Sequence, residues 1–545
     1  MDKRIIGFLG IIVILAAALR FSYLNFKPLS LNWDEVSHGY NAYSVMKTGM
    51  DQWGERLPIL NFRAYGDYPT ALNLYLTIPF IFLLGLSELS IRLPHALLGV
   101  LTIVSVYFLT WGVTRNKNVS LLASLLAGIG PWYFFTSQFV LQSNLSVFLL
   151  ITAGALFVNR ERNKLFLPLS LLTLFLTLFS YHTTRIFSPL LLLGAILIYR
   201  DELKNKLVYI FSALFIILSA LIFINPASRA RGDLLFLIDQ GAVNRIIESR
   251  NASNLPSIVK RLLYNRPVYF TEQFLKNYVS YFSPQFLFIN GGTQYQFSIP
   301  GRGLIYPINL PFFYIGLILL LTLAKKEKNY RLIFLWLILS PIPASLTNES
   351  FTVIRATTML PIPEILISMG FFWTLGKIHK NYKWLLWGAY FGALFIFTET
   401  YLSDYGSSYK KNYAFAWQYG YKEVVAYAKE NYQSYDKIIV TKKYGEPHEY
   451  FLFFLSWNPS DYQTDPNKIA FQKSGWFWVD RFDKFYFVND WQVLEMKLES
   501  GGKIDCSNIR CLLITGPNNY PPGWKNLKTV SFLDGSPAFE IYENK

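Results

Sequence analysis

The feature that most limits what this chain can fold into is a succession of apolar runs, recurring from Ile5 to Thr400. Each is close to the ~20 residues that a helix needs to cross a hydrocarbon core. Read from the sequence, the spans lie roughly at 5–24, 94–112, 119–137, 143–158, 165–181, 186–199, 207–224, 307–324, 332–348, 356–376 and 384–400, about eleven in all. This layout predicts an α-helical polytopic membrane protein. The first run, IIGFLGIIVILAAALRFSYL, has no small-residue cleavage site after it and is expected to persist as a helix.

Charge orients the spans. The net charge of +16 could suggest nucleic acid, but its distribution argues against that partner. Basic residues cluster in short loops, for example Arg160/Arg162/Lys164 and Lys325/Lys326/Lys328/Arg331. The positive-inside rule puts those loops in the cytoplasm. The alternate loops then lie outside: 25–93, the turn at 138–142, 181–185, 225–306, 341–355 and everything after Tyr401. One apolar run breaks the alternation. Leu72–Leu86 is short and contains Pro79, so an interfacial or re-entrant helix in the outer leaflet is expected. The competing reading is an ordinary span with inverted topology.

After residue 400 the chain becomes polar. Tyr419–Tyr432 has an amphipathic helical pattern, and DKIIVT, CLLITG and AFEIYE read as short strands. Two domains are therefore expected: a membrane domain over 1–400, with its first outer loop at 25–93, and a small extracytoplasmic α/β domain over 401–545. The two cysteines, Cys506 and Cys511, both fall in the second. A local disulfide and a pair of buried thiols both fit.

The first outer loop carries the chemistry-bearing residues. Asp34-Glu35 follows the first span, and Asp67 lies further on. Carboxylates at a membrane face are costly to place and usually mark a site. The bland reading is a helix start, with Asn32 and Glu35 spaced as a capping box and Gly49 as the stop. The membrane-edge location points instead to an acid that meets a lipid-borne substrate.

The order of motifs adds a resemblance. WDE…GYNAYS…KTG, FRAYGDY, LYLTIPF, LSELSIRLPHALLG, WYFFTSQFVLQSNLSVFLL, YHTTRIFSPLLLL, NPASRARGDLLFL, IPGRGLIYPINLPFFYIGL and SPIPASLTN…IRATTMLPIP run collinearly over about 1–400. The chain resembles the GT-C membrane glycosyltransferases, in a bacterial branch related to protein O-mannosyltransferases and lipid A aminoarabinose transferases. The resemblance implies a polyprenyl-phosphate sugar donor and a protein, glycan or lipid acceptor at the outer face of the inner membrane. It implies Asp34 as general base, with Glu35 orienting the loop and Asp67 positioning donor or acceptor. No cofactor is required. In some relatives a divalent metal is held at the second acidic position, so Asp34 and Asp67 are the residues that would take one here. Arg355, with Arg185 and Arg302 as alternatives, would hold the donor phosphate. His182, Tyr65, Gln138, Gln142 and Asn144 would line the substrate cavity, while Arg229, Arg231 and Asp233 read as a solvated loop or as the mouth of that cavity.

Several positions depart from this branch. Gln138 and Gln142 stand where relatives tend to carry Arg and Glu. Gly292 replaces an Asp, Tyr295-Gln296 an Arg-His pair, Pro69 a lysine and Val353 a histidine. Each removes a charge or titratable group. A different donor or acceptor, reduced activity, or a non-catalytic glycolipid-binding protein on the same fold would all fit that pattern.

Overall fold

The computed structural model describes residues 3–26, 29–66, 68–203, 206–226, 228 and 236–544. The chain forms two compact units, Met1–Ser22 with His95–Leu402, and Tyr23–Pro94 with Ser403–Lys545. Residues 23–94, which hold most of the loop read at 25–93, thus cluster with the tail and not with the bulk of the helices.

The first unit is helical. Helix α1 (Lys3–Phe26) supplies its N-terminal part, and α4 (Glu88–Thr114) opens the rest. Among the described residues, three helical stretches, Lys3–Leu24, Glu88–Thr114 and Lys380–Asn412, are long and apolar enough to cross a membrane. Shorter apolar helices follow the other expected spans, among them Gln142–Val158, Thr184–Ile198 and Leu310–Leu323. Prolines explain part of the shortening. The run expected over 119–137 forms two helices, Lys117–Ile129 and Pro131–Thr136, and that over 332–348 breaks at Pro341 into Lys328–Leu339 and Ile342–Ser345. Proline has no N–H to continue the helical ladder. Small residues let two helices touch. A Cβ on Gly316 would fall 1.9 Å from the Leu366 carbonyl oxygen, and one on Gly370 would fall 2.0 Å from that of Phe312. Helices Leu310–Leu323 and Ile362–Lys377 therefore meet backbone to backbone, as apolar helices with little hydrophobic drive between them tend to.

The second unit contains α2 (Trp33–Thr48), α3 (Leu72–Leu84) and a seven-stranded sheet. The strands are β1 (Lys437–Thr441), β2 (Ile469–Lys473), β3 (Trp476–Phe482), β4 (Phe485–Val488), β5 (Cys511–Thr515), β6 (Lys525–Ser531) and β7 (Pro537–Glu543), in the order β2-β3-β4-β1-β5-β7-β6. Central β1 runs parallel to both β4 and β5, and the outer pairs are antiparallel. A strand buried on both faces reads as a continuous apolar run, which is why β1 and β5 are visible in the sequence. Cys506 and Cys511 form a disulfide. Helix α2 lies on the tail: Gln52 Nε2 donates to Glu449 Oε1 (2.7 Å), the Tyr40 hydroxyl to the Trp457 carbonyl (3.1 Å) and Gln463 Nε2 to the Asp51 carbonyl (2.8 Å). Helix α3 packs on α2, where His38 Nε2 and Thr77 Oγ1 are 2.9 Å apart.

Candidate active site

The capping box expected at the start of α2 is formed. Asn32 Oδ1 accepts from the Glu35 N–H (3.0 Å), and Glu35 Oε2 accepts from the Asn32 N–H (3.3 Å). Glu35 is fully buried, and so is Arg92 of α4 at 1% exposure. The guanidinium engages the carboxylate as a fork, Nε to Oε1 at 2.7 Å and Nη2 to Oε2 at 2.6 Å. Arg92 also donates to the carbonyls of Leu29 (2.7 Å) and Ser30 (2.8 Å). The Tyr450 hydroxyl donates to that of Leu31 (3.2 Å). The backbone leading into α2 is therefore fixed on both sides. With both oxygens engaged in this way, Glu35 holds the loop.

Asp34 differs from its neighbour. It sits in the first turn of α2 and is exposed. The hydroxyl of buried Tyr65 donates to its Oδ1. A carboxylate at a helix N-terminus is favoured by the helix dipole. Tyr65 is itself clamped, edge-on to Trp33 (centroids 6.3 Å) and stacked on Trp476 (5.8 Å, 14°). Asp34 is thus an exposed acid with a fixed orientation on a rigid support, the arrangement a general base needs.

Asp67 lies outside the described residues, as do Arg229, Arg231 and Asp233. Among the described residues no three His, Cys, Asp or Glu side chains gather as a metal centre.

The other expected residues belong to the first unit. Arg355 opens a short 3-10 turn, is buried, and pairs with Glu349 Oε2 (3.1 Å) and Thr347 Oγ1 (3.1 Å). Buried Arg185 donates from Nε to the Leu178 carbonyl (2.9 Å), and its Nη1 lies 3.1 Å from His182 Nδ1. Arg302 is half-buried in the loop before helix Leu310–Leu323. Gln138 is buried, Gln142 opens helix Gln142–Val158, and Asn144 Nδ2 donates back to the Thr136 carbonyl. Two of the departures meet: a Cβ on Gly292 would fall 2.3 Å from Val353 Cγ2. A neutral contact therefore occupies the place where relatives are expected to carry an acid and a histidine.

Three residues are absent from the sequence reading. Arg92 and Arg20 each sit inside an apolar run, and a charge there requires a buried partner. Arg20 finds the Gly128 carbonyl (2.9 Å) near the end of helix Lys117–Ile129. Trp476 gives no local signal, since only the fold brings it to Tyr65.

Residues 10–224 match the family model of dolichyl-phosphate-mannose-protein mannosyltransferases. Among solved structures, apo ArnT from Cupriavidus metallidurans superposes with a TM-score of 0.54 at 10% identity, covering 99% of this chain and 98% of that one. ArnT of the same organism bound to undecaprenyl phosphate gives 0.51 at 12% identity, with the same coverage. The Archaeoglobus fulgidus oligosaccharyltransferase in complex with Zn and sulfate gives 0.52 at 14% identity, covering 82% of this chain and 61% of that one. This chain spans under two thirds of the length of the archaeal enzymes it matches. No curated protein sequence matches it. At these identities the structural likeness speaks to the fold.

Proposed function

We propose that this chain, a glycosyltransferase of the GT-C superfamily related to protein mannosyltransferases and ArnT, transfers a sugar from a polyprenyl-phosphate donor to an acceptor hydroxyl at the outer membrane face. The observation that carries this reading is the exposed Asp34 carboxylate, oriented by Tyr65 and braced from behind by the Glu35–Arg92 pair. The undecaprenyl phosphate bound to an ArnT of the same fold supports the donor class. In the reaction, Asp34 takes the proton of the acceptor hydroxyl as its oxygen attacks the anomeric carbon. The bond from that carbon to the phosphate oxygen breaks, polyprenyl phosphate leaves with the electron pair, and the anomeric centre inverts. Phosphate is a good leaving group, so no separate general acid is needed. Asp67 is the second acid of this reading, with the role of positioning donor or acceptor; Asp34 and Asp67 are the residues that would hold a divalent cation, which would supply charge stabilisation to the leaving phosphate.

Arg355 is the first candidate to hold that phosphate, because a guanidinium fork suits two phosphate oxygens. Its partner Glu349 is 44% exposed, so an arriving phosphate can replace it. Arg355→Ala is expected to weaken donor binding by roughly tenfold or more, and Glu349→Gln to preserve it. Donor titration with both variants checks this, and unchanged binding in Arg355→Ala would shift the assignment to Arg185 or Arg302. Neutral hexoses on a single phosphate are the first donors to assay, because Gln138, Gln142, Gly292, Tyr295, Gln296 and Val353 offer no charge to a charged sugar. Transfer of a charged aminosugar alone would contradict that choice.

The clustering of Lys and Arg in alternate short loops supports a tail outside the inner membrane. Single cysteines at Ser407 and Asn329 test it with a membrane-impermeant reagent. Position 407 should label in intact cells and 329 only after lysis; the reverse pattern inverts the topology.

A further inference from the structure

Within its unit the acid loop touches one strongly aromatic element. Strands β2 and β3 join through the two-residue turn Ser474–Gly475, with φ of 52° and 82°. Positive φ at both positions suits the tight turn of a twisted hairpin. The turn sets Trp476 at the hairpin tip, in register with Lys473. The Phe477 N–H donates to the Tyr65 carbonyl, and the Trp476 indole lies nearly flat on the Tyr65 ring. Gly66 makes this approach feasible, since a Cβ there would fall 2.4 Å from Trp476 Cδ2. The Tyr65 hydroxyl in turn donates to Asp34. Trp476 is thus one ring away from the candidate base, yet it remains 40% exposed. Trp478, on the same face of β3, lies 6.2 Å from it at 33°, and its ring also receives the Lys442 ammonium at 5.2 Å. A tryptophan held partly bare one ring from the candidate base points to something that covers it.

We infer that Trp476 is the platform for a sugar ring on the acceptor side, so that the acceptor is a carbohydrate and not a peptide hydroxyl. This rests on the reading of Asp34 as the base. A pyranose offers an apolar C–H face and a rim of hydroxyls. The face packs on the part of the indole that Tyr65 leaves open, and the rim stays free for polar groups. A flexible peptide has no rigid apolar face of that size. The indole binds and positions the acceptor, and Asp34 takes its proton.

Saturation-transfer NMR on the full chain in nanodiscs tests this without turnover. The probes are methyl glycosides of glucose, mannose and galactose, the matching disaccharides, and a Ser/Thr peptide. Wild type and Trp476→Phe are expected to saturate the ring protons of at least one glycoside and not the peptide. Trp476→Ala should weaken that glycoside's binding by roughly 3- to 10-fold. Equal glycoside binding in Trp476→Ala overturns the proposal, as does saturation of the peptide alone. So does a loss shared by Trp476→Phe with a lowered melting temperature, which marks a prop for the loop. Quenching of Trp476 by brominated lipids, with no glycoside signal, marks a bilayer anchor and also overturns it. Asp34→Asn should leave the glycoside signal intact. If Asp34→Asn still transfers sugar at the wild-type rate, the base assignment fails whatever the glycosides show.

Discussion

Asp34→Asn is expected to lower sugar transfer by about 100-fold or more while leaving the fold intact. Asparagine keeps the size of the side chain and can still accept the Tyr65 hydrogen bond through its carbonyl oxygen. What it loses is the capacity to take a proton from the acceptor. The residue is exposed and at the first turn of α2, so removing its charge costs little stability. The measurement is turnover of purified protein with a polyprenyl-phosphate hexose, together with a thermal melt. Undiminished transfer with an unchanged melt would remove Asp34 from the mechanism.

Arg92→Ala should have the largest effect on stability. It would strand the Glu35 carboxylate in a site with no solvent exposure and remove donors to the Leu29 and Ser30 carbonyls. Breaking a buried pair from one side typically costs about 3–5 kcal/mol. The melting temperature of the unit that holds this loop should fall by several degrees, on the order of 2–4 °C per kcal/mol. Transfer should fall with it, because the backbone that presents Asp34 is no longer pinned. Arg92→Lys should rescue only part, since an ammonium cannot reproduce the fork. The double variant Glu35→Gln/Arg92→Met, which leaves no buried charge, should recover stability relative to Arg92→Ala. A melt within about 1 °C of wild type for Arg92→Ala would show that the pair does not brace the loop.

Much of the helical layout was legible because the signal is local. An apolar run announces a buried or lipid-facing helix wherever it lies, although the spans read at 119–137 and 332–348 ran through Pro131 and Pro341, where the helices break. The capping box at Asn32 and Glu35 was legible for the same reason: its partners are three residues apart. Strands β2, β3, β4 and β6 were not read from the sequence. β2 and β6 are largely exposed and lack the continuous apolar run of β1 and β5, whereas β3 opens with such a run at Trp476–Val479 and β4 is one throughout, so both were legible in principle.

The site divides along the same line. The sequence by itself determined where the apolar helical segments fall, that an acidic pair follows the first of them, and that a polar α/β tail follows the last. These depend on composition and short spacing, which the chain carries without folding. Only the tertiary structure decided that the acid loop folds with the tail, that Glu35 is consumed by Arg92 57 positions away, and that Tyr65 stands beside Asp34 and Trp476 beside Tyr65. Those pairings come from contacts between distant segments. Nothing in local periodicity encodes them, because a buried charge or an aromatic ring specifies what kind of partner it needs but not where along the chain that partner lies.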